Sequence, residues 1–146
     1  MRLLPKLTIL LLTLACAVPS ARALIDDAYS TALEAAIETV KQGGFKLRQE
    51  YWKGTLTSGT QKIVKHQVFK GSEVWFWLGA SSETDVKLEI EAHDAKGNKI
   101  SLEKKSGAGF AAVRLKPEKT GTCVVTFKIT GKEKAEIPWA LVYGWK

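Results

Sequence analysis

Val86-Lys87-Leu88-Glu89-Ile90-Glu91-Ala92-His93 alternates apolar and polar residues without a break. In an extended chain successive side chains point to opposite faces. Val86, Leu88, Ile90 and Ala92 therefore share one face, and Lys87, Glu89, Glu91 and His93 the other. A half-buried strand of an antiparallel sheet has this pattern. The same period runs outward in both directions and predicts eight strands, over 50–57, 61–70, 73–80, 85–94, 98–104, 109–116, 121–130 and 136–145. Turn signals separate them: Ser58-Gly59, Lys70-Gly71-Ser72, Ser81-Ser82, Lys96-Gly97-Asn98, Ser106-Gly107, Pro117, Thr120-Gly121 and Gly131. Short strands at this spacing, with no helical pattern between them, predict a mainly β fold. The expected architecture is an antiparallel jelly-roll-like β-sandwich of about eight strands over 49–146, and a parallel α/β sheet is disfavoured.

N-terminal to the strands the period changes. Ile25, Tyr29, Ala32, Leu33, Ala36, Ile37 and Val40 recur at helical spacing and make one apolar stripe. This predicts an amphipathic helix over 24–44, with Asp26 and Asp27 near its positive end, Lys41 near its negative end and Gly43-Gly44 ending it. The stripe needs a partner, and the strands are the expected one.

Residues 1–23 read as a secretory signal peptide. Arg2 and Lys6 form a positive start, Leu7 to Leu14 is a short apolar run, and Ala21-Arg22-Ala23 is a cleavage site. The run is too short to span a bilayer, so no transmembrane segment is expected after cleavage. The alternatives are an uncleaved anchor and a lipoprotein acylated at Cys16, for which Thr13-Leu14-Ala15-Cys16 is a poor lipobox. Export to the periplasm or the medium is the expected localisation. The whole chain has 146 residues, 22 basic and 15 acidic, a net charge of +7. Loss of Arg2, Lys6 and Arg22 leaves 19 basic residues against 15 acidic ones, +4 over 123 residues. The apparent basicity is thus inflated by the export signal, and a nucleic-acid partner is not expected. Cys123 would be the sole remaining cysteine. Its place among Val125, Phe127 and Ile129 on one strand face predicts a small buried hydrophobe.

Several stretches resemble the bacterial pre-peptidase C-terminal domain. They are Phe69-Lys70-Gly71-Ser72-Glu73-Val74-Trp75-Phe76, Thr84-Asp85-Val86-Lys87-Leu88-Glu89-Ile90, Asp94-Ala95-Lys96-Gly97-Asn98, Leu115-Lys116-Pro117 with Thr120-Gly121-Thr122-Cys123-Val124-Val125, and Ala140-Leu141-Val142-Tyr143. The resemblance covers about 54–145. It implies a jelly-roll-like, calcium-tolerant sandwich that is non-catalytic and assists secretion or binding.

Chemistry-bearing constellations are few. His66 and His93 are the two histidines, and the chain has no G-x-S-x-G elbow, CxxC, HExxH, P-loop or dinucleotide fingerprint. No catalytic residues and no cofactor are expected. Asp85 and Asp94, with turn carbonyls, are the candidate calcium ligands, weighed against solvated acids that support turns. The five tryptophans are the unusual feature. Trp75 and Trp77 share one face of a strand, and Trp139, Leu141, Tyr143 and Trp145 share one face of the last. Two placements follow for Trp75, Trp77 and Trp145. They form an open platform that binds polysaccharide or an exported protein, or they are core roofed by the helix. The leading expectation is therefore an exported binding or accessory module. The alternatives are an assembly subunit that self-associates through an aromatic sheet face and, behind both, a hydrolase-type enzyme.

Overall fold

The computed structural model describes residues 21–81, 85–132 and 135–146, with side chains from Asp27 onward. The signal-peptide reading over 1–20, Cys16 included, lies outside the described residues, as do Ser82 and the side chains of Ile25 and Asp26.

Helix α1 spans Ala21–Gly43, beginning three residues before its expected start. Asp27 consequently sits in the second turn and does not face the helix N-terminus; its carboxylate instead accepts a long bond from Ser81 Oγ at 3.4 Å. The C-terminus ends as the sequence predicts. Gly44 takes a left-handed φ of 68°, and Lys146 Nζ donates to the Gly43 carbonyl at 3.1 Å, a cation placed on the negative end of the helix.

Nine strands follow among the described residues: β1 Lys46–Leu47, β2 Trp52–Thr57, β3 Gln61–Val68, β4 Val74–Ala80, β5 Val86–His93, β6 Ser101–Gly107, β7 Phe110–Leu115, β8 Gly121–Gly131 and β9 Glu136–Trp145. Eight match the expected strands within a few residues. The ninth, β1, is two residues long, too short for alternation to reveal. All pairings are antiparallel. One sheet runs β2-β9-β4-β7-β6, and β1 continues along the same edge of β9 beyond β2; the second runs β3-β8-β5. The chain thus places β2, β4, β7 and β9 in one sheet and β3, β5 and β8 in the other, a jelly-roll alternation. Strand β6 folds back on β7 and widens the first sheet.

Two cores result from the alternation of β4 and β9. Phe76, Leu78, Leu141 and Tyr143 face the second sheet and meet Val125, Phe127 and Ile129 there. Trp75, Trp77 and Val142 face the other way and meet Ala32 and Ala36 of α1. Every residue of β4 is therefore buried. The centre of the helix face is Ala28, Ala32 and Ala36, all fully buried, an i, i+4, i+8 row of small side chains. Small residues let the helix lie close to the sheet. Ile37, expected in the stripe, falls to its margin and is 46% exposed.

Candidate binding cleft

Trp75 and Trp77 take the covered placement. They are 2% and 0% exposed, their rings stack 5.9 Å apart at 15°, and the helix lies over them. The amphipathic stripe explains the cover: it removes from water both its own apolar side chains and the two indoles. Lys105 Nζ approaches the rim of the pair, 5.0 Å from the Trp75 centroid. Trp145 stays 39% exposed, with Lys46 Nζ 5.9 Å from its ring. Strand alternation points it to the opposite face of the sheet from Trp75 and Trp77, so the three indoles do not form one platform.

Asp85 and Asp94 flank β5 at its two ends, roughly 30 Å apart at about 3.3 Å per residue, and do not converge. Asp85 is ion-paired with Lys132 at 2.8 Å, and that hydrogen bond holds its carboxyl below the usual range. Asp94 organises the β5–β6 turn. Its Oδ1 accepts from the backbone N–H groups of Lys96 and Asn98, both at 2.9 Å, and its Oδ2 from the Asn98 side chain at 3.0 Å. Those bonds lower its pKa. Asp94 thus supports a turn and Asp85 a surface ion pair.

His66 and Cys123 face each other across the β3–β8 ladder. His66 is half-buried against Tyr143 and Trp52, with ring centroids 4.5 and 5.4 Å away. Burial, followed by the nearby Arg48 charge, holds its pKa below the ordinary imidazole value. Cys123 is fully buried, and burial pushes its thiol up to about 11. The pair stays neutral imidazole and protonated thiol at neutral pH, the reverse of an activated thiolate.

The structure opens a different site. Strands β2 and β3 are consecutive but belong to different sheets. Their connection is tight, with Thr60 N–H donating to Thr57 O at 3.0 Å and Gly59 at φ 81°. Ser58 pins that turn to the end of β8: the Gly131 N–H donates to its Oγ at 2.8 Å. From this closed end the strands splay apart. The gap is a cleft of about 560 Å³ walled by Trp52, Lys53, Gly54 and Thr55 on one side and Lys62, Ile63, Val64 and Lys65 on the other. Tyr51 closes its far end and is held by stacking on Tyr29 of α1, 4.1 Å between centroids.

Trp139 of β9 forms the floor. Gly54 is its direct partner in the β2–β9 ladder. A Cβ on Gly54 would stand 3.3 Å from Trp139 Cζ2 and 3.6 Å from Nε1, so glycine adds no side chain of its own over the indole edge. The ring is 3% exposed and packs edge-on to Phe127 at 4.9 Å. Its N–H is buried without a hydrogen-bond partner. A buried donor left unpaired costs about 1–3 kcal/mol. Two further clefts, between β5 and β6 and around the Asp94 turn, have no such orphaned donor among their lining residues.

No protein-family model matches the chain, and no curated protein matches it in sequence.

The sequence singles out Trp75, Trp77 and Trp145, whereas the tryptophan at the floor of this cleft is Trp139. In the sequence Trp139 appears only as one large residue of the last strand, and Lys62 and Lys65 only as scattered surface charges. Nothing local brings them together. The β2–β9 register and the splay of β3 do.

Proposed function

We propose that this chain is an exported, non-catalytic binding module that holds a saccharide segment in the β2–β3 cleft. The observation that carries the proposal is the open cleft itself, walled by Trp52 and Tyr51, floored by the Trp139 ring and kept clear of a side chain at Gly54. Trp52, Tyr51 and the half-exposed Ile63 offer apolar faces to the C–H side of a pyranose. Export is supported by the composition of residues 1–23, and the pre-peptidase C-terminal resemblance supports a non-catalytic accessory role on a sandwich. Self-association through Trp75 and Trp77 has no open face to use, because α1 covers both rings.

The test is titration of the secreted chain with a panel of oligosaccharides, followed by the Trp139 indole N–H resonance. A ligand that shifts this resonance, and that binds at least tenfold more weakly to Gly54→Val while the variant retains its fold by circular dichroism, supports the proposal. Binding that survives both Gly54→Val and Trp52→Ala overturns it. Capture of a purified exported protein without any response at Trp139 would move the function to a protein partner elsewhere on the surface.

A further inference from the structure

We infer that the saccharide held in the β2–β3 cleft is anionic, its sugars bearing carboxylate or phosphate groups; this rests on the saccharide-binding proposal above. The donor balance of the lining carries it. Lys53, Lys62 and Lys65 line the cleft, and among the described residues no Asp or Glu does. An ammonium group donates three hydrogen bonds and accepts none. Among the described residues, the Thr55 and Tyr51 hydroxyls are the only lining side-chain oxygens. Neutral sugars present hydroxyls that need acceptors as well as donors, so a site built for them carries carboxylates or amides. This cleft carries neither and is matched to a ligand that mainly accepts.

The charges have no acidic partners among the described residues, although Lys53 Nζ lies 6.0 Å from the Tyr51 ring centroid. None of the three lysines forms an ion pair among the described residues, whereas the lysines on other surfaces often do: Lys87 and Lys128 pair with Glu89, Lys99 and Lys104 with Glu91, and Lys132 with Asp85. Three like charges around one concavity repel one another, and the potential they focus there falls when an anion enters. The Trp139 ring forms the floor of the same concavity, with its own N–H buried beneath the surface, so its resonance reports on what enters the cleft. Strand alternation directs Lys62 to the same inner space as Val64 and His66, while Lys53 and Lys65 stand on the two rims. A chain of charged sugars laid along the cleft would meet an ammonium group on each side and the indole beneath.

The experiment compares oligogalacturonate, its methyl ester and a phosphomannan oligosaccharide as ligands of the full secreted chain. Each is titrated at about 0.05 and about 0.5 M NaCl and read at the Trp139 indole resonance. The Lys53→Gln/Lys62→Gln/Lys65→Gln variant is titrated in parallel. An acid form that binds at least tenfold more tightly than the ester, weakens about tenfold or more in high salt, and loses this advantage in the triple variant supports the inference. The stronger of oligogalacturonate and phosphomannan then tells carboxylate from phosphate. Ester and acid binding equally, with the triple variant unaffected, overturns the inference and leaves the saccharide-binding proposal standing. An acid form bound equally well by the triple variant places the charge recognition elsewhere and also overturns it. No shift at Trp139 with any of the three overturns both.

Discussion

The carbonyl oxygen of Ala28 lies where only a glycine at position 79 can face it. A Cβ on Gly79 would stand 2.3 Å from that oxygen and 2.7 Å from the Ala32 amide nitrogen. Both neighbours are helix backbone, which cannot swing aside as a side chain would. Gly79→Ala must push α1 off the sheet and loosen the cover over Trp77. Overpacking of this kind costs about 1–3 kcal/mol, and thermal unfolding should show a drop of several degrees. An unchanged midpoint would mean that the helix slides along the sheet without loss.

Trp77 gives a second prediction from the same interface. It is fully buried, and its N–H has no partner among the described residues. Trp77→Ala should cost about 3–5 kcal/mol through lost burial and the cavity left behind. Trp77→Phe should cost much less, because the group removed makes no hydrogen bond and its loss leaves no partner unsatisfied. Urea unfolding of the two variants checks the order. A Phe variant as damaged as the Ala variant would show that the indole N–H has an acceptor in solution.

Strands β2 to β9 were legible because each has six residues or more between turn signals, and Val86 to His93 shows its two faces most clearly. Gly43-Gly44 was legible as a helix end because a left-handed residue there has a local cause. The helix register was less so. Ala28 is the small residue that meets Gly79, and hydrophobicity alone favours the larger Ile37, which the structure leaves at the margin. Trp75 and Trp77 could be assigned a face but not an environment, because burial of that face depends on where a distant helix docks. The cleft was the least legible part. It requires Gly54 opposite Trp139 across two strands far apart in sequence, and a β3 that leaves its neighbour for the other sheet.

Cys123 gives a pH prediction. Burial raises its thiol from about 9 to about 11. The unfolded thiol ionises first as pH rises, so the stability contributed by keeping it neutral is intact below pH 9 and is lost between about 9 and 11. At roughly 1.4 kcal/mol per pH unit, this removes about 3 kcal/mol. Cys123→Ala should flatten that alkaline limb in urea-midpoint measurements. A thiol-specific reagent at pH 8 should modify Cys123 no faster than the protein unfolds; rapid modification of the folded protein would contradict its burial.

Glu91 gives the opposite limb. Its side chain is 17% exposed, and partial burial alone would raise its pKa. Hydrogen bonds from Lys104, Ser101 and Lys99 outweigh this and hold the carboxyl down to about 2. Lys104 belongs to β6 and Glu91 to β5, so the ion pair links the two sheets across their open side. In the unfolded chain the carboxyl titrates near 4.5. The stabilisation is therefore present above pH 4.5 and lost as pH falls through this range toward 2. At the same conversion it amounts to about 3 kcal/mol at most. Glu91→Gln should make the decline between pH 4.5 and 2 shallower, with the lowered Asp85, Glu89 and Asp94 carboxyls supplying what remains, while lowering stability at pH 7, since Lys104 is left without its partner. Urea midpoints across pH 2.5 to 7 test this. An acid limb of equal slope in the wild type and the variant would show that Glu91 is not paired in solution.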